Sequence, residues 1–306
     1  MRAAPRLRVV ETPVTVSTCE EAMLLLRKEG VFAALCVDAF EYDAVEEEDF
    51  NDLRDLAAAV GQQTSLHCLC FRRAVGLAVV DVIDALGDAA LALPLETLVI
   101  SECGLEPECV PALARVLTST SLRELEITND NPNDGEAVHL FDGPSAQLFS
   151  AALCSNSTLR VLCLARVTVW EDNYAAVAVL AAVAAHRTLL VLRLSHNSVP
   201  DDAQGFAGSL LAAVLAADTL QELGLDNNNL RDEALRIIAR SLPRATHLRT
   251  LDLSDGNDFS DDCVRDVLLP AARAAASLRE LLLEDSCDAG AADDVERVLE
   301  ARRDAS

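Results

Sequence analysis

Residues 220–230 read LQELGLDNNNL, with leucines at 220, 223, 225 and 230 and Asn228 set among them. A helix repeats its apolar residues every three or four positions and a strand every two. The stretch keeps the strand rule only from Leu223 to Leu225, so one period does not place all its leucines. The same LxxLxL pattern recurs as FAALCV from Phe32, LHCLCF from Leu66, LETLVI from Leu95, LRELEI from Leu122 and LRVLCL from Leu159. It continues as LLVLRL from Leu189, LQELGL from Leu220, LRTLDL from Leu248 and LRELLL from Leu278. Successive starts lie 34, 29, 27, 37, 30, 31, 28 and 30 residues apart. A near-constant interval of this size marks a stacked array in which each unit buries its apolar face against the next.

The pattern resembles the leucine-rich repeat family, in which LxxLxLxxN/CxL is followed by a helix. Cys103, Asn197 and Asn228 occupy the N/C place, with Leu105, Val199 and Leu230 two residues later. Asn257 and Cys287 stand one residue further on, which predicts an extra residue in those two turns. A buried Asn or Cys at this point serves backbone groups that no neighbouring strand satisfies. The second half of each unit runs at helical spacing, as in Cys109, Leu113 and Leu117 or Ala234, Ile238 and Leu242. Repeat length and a full helix per unit resemble the ribonuclease-inhibitor-like subclass. The expected fold is therefore α/β: a right-handed leucine-rich-repeat solenoid, or horseshoe, with a parallel sheet on its concave face and helices on its convex face.

Residues 32–306 read as one repeat domain of about nine units including a C-terminal cap, and residues 1–31 as an N-terminal capping segment. Within that segment the pattern predicts a strand near Leu7–Val10 and a helix over Cys19–Lys28. At the other end Val295, Val298 and Leu299 are expected to face inward.

Composition bounds the partners. The chain has 306 residues, 51% hydrophobic but 4% aromatic, so its core is built from Leu, Val and Ala. Its net charge of −25 opposes nucleic acid, whose phosphates need clustered Lys and Arg, and opposes an anionic membrane surface. A negative field of this size speeds encounter with a basic protein. The start of the chain lacks a continuous apolar segment of signal-peptide type, and the longest apolar run, Ala175 to Ala185, suits a buried helix. The 10 cysteines contain no CxxC pair, which suits reduced thiols in a cytoplasmic protein, and neither cofactor nor metal is expected.

In this fold the x positions of LxxLxL face the concavity. They include His67, Glu96, Arg123, Arg160, Gln221, Arg249 and Arg279, then Glu124, Glu126, Arg193, Glu222, Asp226, Asp252, Glu280 and Glu284. Two uses are open: cross-strand charge pairing, or a mixed-charge binding face. The turns before the helices are acidic, at 200–204, 231–233, 255–262 and 284–294, where carboxylates also serve as helix caps. The longest interval contains TNDNPNDGEAVHLFDGPSAQ, 128–147, which reads as a loop, and the next unit carries WEDNY at 170–174. Trp170 and Tyr174 are either anchors for a partner or core beneath the insertion.

GxSxG, HExxH, Walker and convincing GxGxxG motifs are missing, and the five histidines are far apart in the repeat register, so the chain reads as non-catalytic. NST at 156–158 matches a glycosylation acceptor, relevant only to a secreted protein. The leading expectation is a protein-interaction scaffold, part of an intracellular hetero-complex. Members of the resembled subclass include flagellar and cytoskeletal subunits. The alternative is a regulator of a small GTPase, because the Ran GTPase-activating protein is similar in repeat type and acidity. The expected partner-binding residues are Trp170, Tyr174, Arg123, Arg160, Arg193, Glu222, Asp226, Arg249, Asp252, Arg279 and Glu284.

Overall fold

A computed structural model describes residues 14–16, 34–38, 66–73, 94–118, 121–129 and 138–303. Ten strands form one parallel sheet in chain order. They are β1 (Val14–Val16), β2 (Ala34–Asp38), β3 (Cys68–Arg72), β4 (Thr97–Ser101) and β5 (Glu124–Thr128), then β6 (Val161–Ala165), β7 (Val191–Arg193), β8 (Glu222–Gly224), β9 (Thr250–Asp252) and β10 (Glu280–Leu282). The register places the second leucine of every unit in one row: Leu35, Leu69, Leu98, Leu125, Leu162, Leu192, Leu223, Leu251 and Leu281. Each is buried, which at ~1.5–3 kcal/mol per side chain makes the row a main source of stability. A one-residue slip would turn all of them to solvent, so the repeat itself dictates the register.

Between the strands lie α1 (Val110–Leu117), α2 (Gly143–Ser155), α3 (Asn173–Ala185), α4 (Gln204–Leu215) and α5 (Asp232–Ser241). A composite helix α6 over 261–274 follows, with a π-helical stretch at Val264–Leu268, and then α7 (Ala289–Arg303). The core fills the space between sheet and helices, and the expected rows Cys109, Leu113, Leu117 and Ala234, Ile238, Leu242 are buried there. The Ala175 to Ala185 run is α3, a helix of the core. Helix starts are set by side chains. Asp142 and Ser145 form a reciprocal capping box on α2, and Asp172 accepts from the Tyr174 and Ala175 amides at the start of α3.

The turn after each strand explains Asn228. The Asn197 side-chain oxygen accepts from the Val167 amide at 3.0 Å, and its nitrogen donates to the Leu164 and Leu194 carbonyls at 2.8 Å. Asn228 accepts from the Asn197 amide at 3.3 Å, and Asn257 from the Asn228 amide at 3.3 Å and the Leu230 amide at 2.9 Å. The asparagines therefore link unit to unit. The residues flanking Asn197 and Asn228 have left-handed backbone: His196 and Ser198, Asn227 and Asn229. At Asn257 two left-handed residues, Asp255 and Gly256, come together before the asparagine, which absorbs the extra residue expected there. Gly256 is the one conformationally permissive residue of that pair; a Cβ there would also lie 2.6 Å from the Asn227 side-chain oxygen.

Several expectations change. In the last unit the N/C place belongs to Ser286, which is buried and donates to the Leu283 carbonyl at 2.9 Å, whereas Cys287 is only partly buried. Asn129 joins the series although it falls one residue before the consensus place. It accepts from the Leu105 amide at 2.6 Å and donates to the Leu105 carbonyl at 2.7 Å and the Val138 carbonyl at 2.9 Å. The strand near Leu7–Val10 and the helix over Cys19–Lys28 lie outside the described residues, but β1 adds a tenth strand from within residues 1–31. In α7 the inward row is Ala291, Val295 and Leu299, four residues apart, and Val298 is only partly buried beside it. Within the 128–147 insertion, Thr128 ends β5 and residues 143–147 are already α2; residues 130–137 lie outside the described residues.

Candidate interaction surface

Strand alternation puts every second residue on the open face of the sheet. That face carries Cys36, Cys70, Val99, Glu126, Cys163, Arg193, Gly224, Asp252 and Leu282 in one row of the register. The neighbouring row carries Cys68, Thr97, Glu124, Val161, Val191, Glu222, Thr250 and Glu280. The β2–β4 end is thus rich in thiols and small apolar groups, and the β8–β10 end is rich in carboxylates.

Arg193 joins the two halves. Its Nε and Nη2 donate to Glu222 Oε1 at 3.0 and 2.8 Å, and its Nη1 lies 3.9 Å from Glu126 Oε1. The arginine stem runs over Gly224, where an added Cβ would lie 3.2 Å from Arg193 Cγ. Burial acts against the guanidinium charge, but the hydrogen bond and charge of Glu222 outweigh it and raise its affinity for the proton. Burial and then the neighbouring Glu124 push the Glu126 carboxyl above its ordinary range, with Arg193 only partly opposing them. Burial, followed by the Glu126 charge, pushes the Cys163 thiol up to about 12, so it is an unreactive side chain at neutral pH. Asp226 accepts from Ser195 Oγ at 2.6 Å, and Asp252 accepts from the Ser254 amide at 3.0 Å.

The expected binding residues fall in three places. Arg193, Glu222, Asp226 and Asp252 gather on the concave face, and the exposed Glu284 follows β10, its carbonyl accepting from the Asp255 amide at 2.7 Å. Arg123, Arg160, Arg249 and Arg279 do not project from the strands as expected. They precede them and form a column along the strand-start edge, each amide donating to the carbonyl of the matching residue one unit earlier, at 2.7–2.8 Å. There Arg123 approaches Glu96 at 3.8 Å, and Arg160 and Arg279 donate to the Thr188 and Ala276 carbonyls at 3.2 and 3.1 Å. The third place is the helix-start rim. Trp170 is 2% exposed and belongs to the core, so its ring is not displayed for a partner, whereas Tyr174 is 54% exposed. The Tyr174 ring covers Gly143, and its hydroxyl accepts from Gln147 Nε2 on α2.

Much of the acidity of the helix-start turns is used inside the fold. Asp232 accepts from the Ser260 amide at 2.8 Å and hydroxyl at 2.6 Å, and the hydroxyl and amide together hold its carboxyl below the usual range despite partial burial. Asp201 pairs with Arg231 at 3.1 Å, and Arg265 approaches Asp261, Asp294 and Asp288 at 3.6, 3.5 and 3.9 Å. Asn156, in the glycosylation-like NST, is buried; it donates to the Leu117 carbonyl at 2.6 Å and accepts from the Thr158 and Leu159 amides at 2.9 and 2.7 Å. Its amide nitrogen is thus committed to the fold and out of a transferase's reach. The nine described cysteines are free thiols. Among the described residues no group of three His, Cys, Asp or Glu is arranged to hold a metal ion, and no helix is long and apolar enough to cross a membrane.

Nine in-register LxxLxL strands, with buried Cys103, Asn129, Asn197, Asn228, Asn257 and Ser286 at the turns towards the helices, define a leucine-rich-repeat solenoid. Among solved structures, the tropomodulin C-terminal domain of Caenorhabditis elegans aligns over 54% of this chain and 95% of its own, at 15% identity and a TM-score of 0.44. The leucine-rich repeat-containing protein LegL7 of Legionella pneumophila aligns over 92% and 94% respectively, at 13% identity and a TM-score of 0.43. No family model matches the chain, and no curated protein sequence does.

Proposed function

We propose that the chain is a non-catalytic protein-interaction scaffold that engages a protein partner with a basic surface as one subunit of a larger intracellular assembly. One observation carries the reading. The concave face ends, over β8–β10, in Glu222, Asp226, Asp252, Glu280 and Glu284, held on a parallel sheet whose register and turns are locked by buried leucines and asparagines. A surface that is already ordered pays little entropy on association, and its field attracts and orients a basic partner. Placement in a cytoskeletal or flagellar assembly rests on the subclass resemblance alone. The burial that raises the Cys163 thiol also removes it as a nucleophile, in keeping with a binding role.

The test is recovery of the tagged full chain from native cells at low and at high salt, in wild-type form and with Asp226→Lys, Asp252→Lys and Glu284→Lys combined. Stoichiometric partners retained by the wild type at low salt and lost from the triple variant support the reading. Partners held equally by both remove the acidic face from it.

A further inference from the structure

Between α1 and α2 the helix-start rim opens into a cavity of about 260 Å³. It is lined by Pro107, Pro111, Pro144 and Leu148 together with Glu108, Asp142 and Ser145, and among the described residues no Lys or Arg lines it. Pro107 opens a 3-10 turn (Pro107–Cys109), and Pro111 and Pro144 lie in the first turns of α1 and α2, where a missing N–H costs nothing and the fixed φ stiffens the wall. Asp142 is held by the capping box: the Ser145 amide donates to its carboxylate at 2.8 Å, the Ser145 hydroxyl accepts from the Asp142 amide at 2.9 Å, and Ser145 keeps the carboxyl below its ordinary range. Leu148 is 44% exposed and lines this rim. One helical row across from Pro144 and Leu148, Gly143 and Gln147 carry the exposed ring of Tyr174. Apolar walls, a fixed anion and an adjoining aromatic ring thus meet at one rim.

We propose that this cavity takes the side chain of an arginine or lysine from an extended segment of a protein partner. The methylene stem lies along the proline rings and Leu148, the cationic head reaches Glu108 and Asp142, and a neighbouring apolar residue of the segment rests on Tyr174. Charge decides the occupant: the lining is anionic without a balancing cation, and the chain as a whole carries −25. An arginine or lysine stem is apolar and its head is charged, matching the two kinds of wall. The inference rests on the interaction reading above and gives it a second, localised contact away from the concave face.

The direct test needs no partner. Backbone amide NMR of the full chain is followed while n-butylguanidinium, which carries the arginine side-chain chemistry, is added, with guanidinium and n-butanol as controls. Saturable shifts confined to residues 107–111, 142–148 and 174 are expected with n-butylguanidinium and not with either control. Glu108 and Leu148 are exposed, so Glu108→Gln with Leu148→Ser leaves the fold intact, and it should weaken the titration about fivefold or more. Shifts spread over all acidic turns, equal shifts with guanidinium, or an unchanged titration in the double variant would overturn the assignment. The native complex separates the two claims. If the double variant keeps its partners while the concave triple variant loses them, the scaffold reading stands and the cavity is not the contact.

Discussion

Replacing Asn197 with alanine is the most searching perturbation of the fold. In the native turn its side chain serves the Val167 amide and the Leu164, Leu194 and Ser195 carbonyls, all at 2.8–3.2 Å. The Leu194 carbonyl keeps a second donor, Asn228 Nδ2 at 2.9 Å, so it is not orphaned by the change. The Val167 amide and Leu164 carbonyl lose the partner described here, and each buried unsatisfied group costs about 1–3 kcal/mol. The expected loss is therefore about 2–6 kcal/mol, a large share of the stability of an ordinary domain. Asn197→Cys should cost roughly half as much. At the equivalent place Cys103 donates to the Ser101 carbonyl at 3.1 Å, so a thiol can keep one donor bond, though it is a poor acceptor for the amide. Asn197→Asp should be no better than alanine, because the carboxylate would face carbonyls that need a donor. Urea unfolding gives the global cost, and hydrogen exchange at Val167 gives the local one, which stays valid if the repeats do not unfold together. An alanine variant losing less than about 1 kcal/mol, or an aspartate variant matching wild type, would refute the role given to this side chain.

Four further outcomes follow from the same geometry. His186 accepts from the Thr188 and Leu189 amides through Nδ1, and burial, then the Arg160 charge, lowers its pKa below the ordinary 6.5. Its contribution is complete above pH 6.5 and declines as pH falls towards the folded value; His186→Asn, copying Asn156, should remove that part of a pH–melting curve. Glu126 has a raised pKa, so ionising it costs native stability as pH rises above 4.5; Glu126→Gln should melt higher than wild type at pH 7 and no higher near pH 4. Tyr174→Ala should leave the circular dichroism and melting temperature nearly unchanged, since the ring is exposed, while weakening binding of the native partner. Added full chain should leave the GTP hydrolysis rate of a Ran-type GTPase unchanged, and a stimulated rate would favour the regulatory alternative.

Most of the architecture was legible in the residues because leucine spacing and strand register are one constraint: a leucine misplaced by one position leaves the core. The asparagine turns were legible where they obeyed the consensus, at Asn197 and Asn228. Asn129 was hidden because it comes one residue early, although an Asn two positions after the last apolar residue of LRELEI was the available signal. Ser286 was hidden because serine is not the expected residue there, and Cys287 beside it drew the assignment. The surface was less legible. Residue type could not tell that Trp170 is core while Tyr174, four residues on, is displayed, since both sit at a helix start in a polar setting. The arginine column was misplaced because strict alternation does not extend to the residue before each strand, where the chain turns in from the preceding helix. The proline cavity left no sequence signal, for Pro107 and Pro111 belong to one unit and Pro144 to the next, and they meet only when α1 and α2 stack.

Hydrogen exchange of the full chain, alone and in the complex isolated from native cells, tests the central claim most directly. The account predicts a stoichiometric protein partner and protection concentrated on β8–β10 and on the helix-start rim around Gly143 and Tyr174. Protection confined to the outer faces of α4 to α6, or a chain that co-purifies with no partner at low salt, would contradict it.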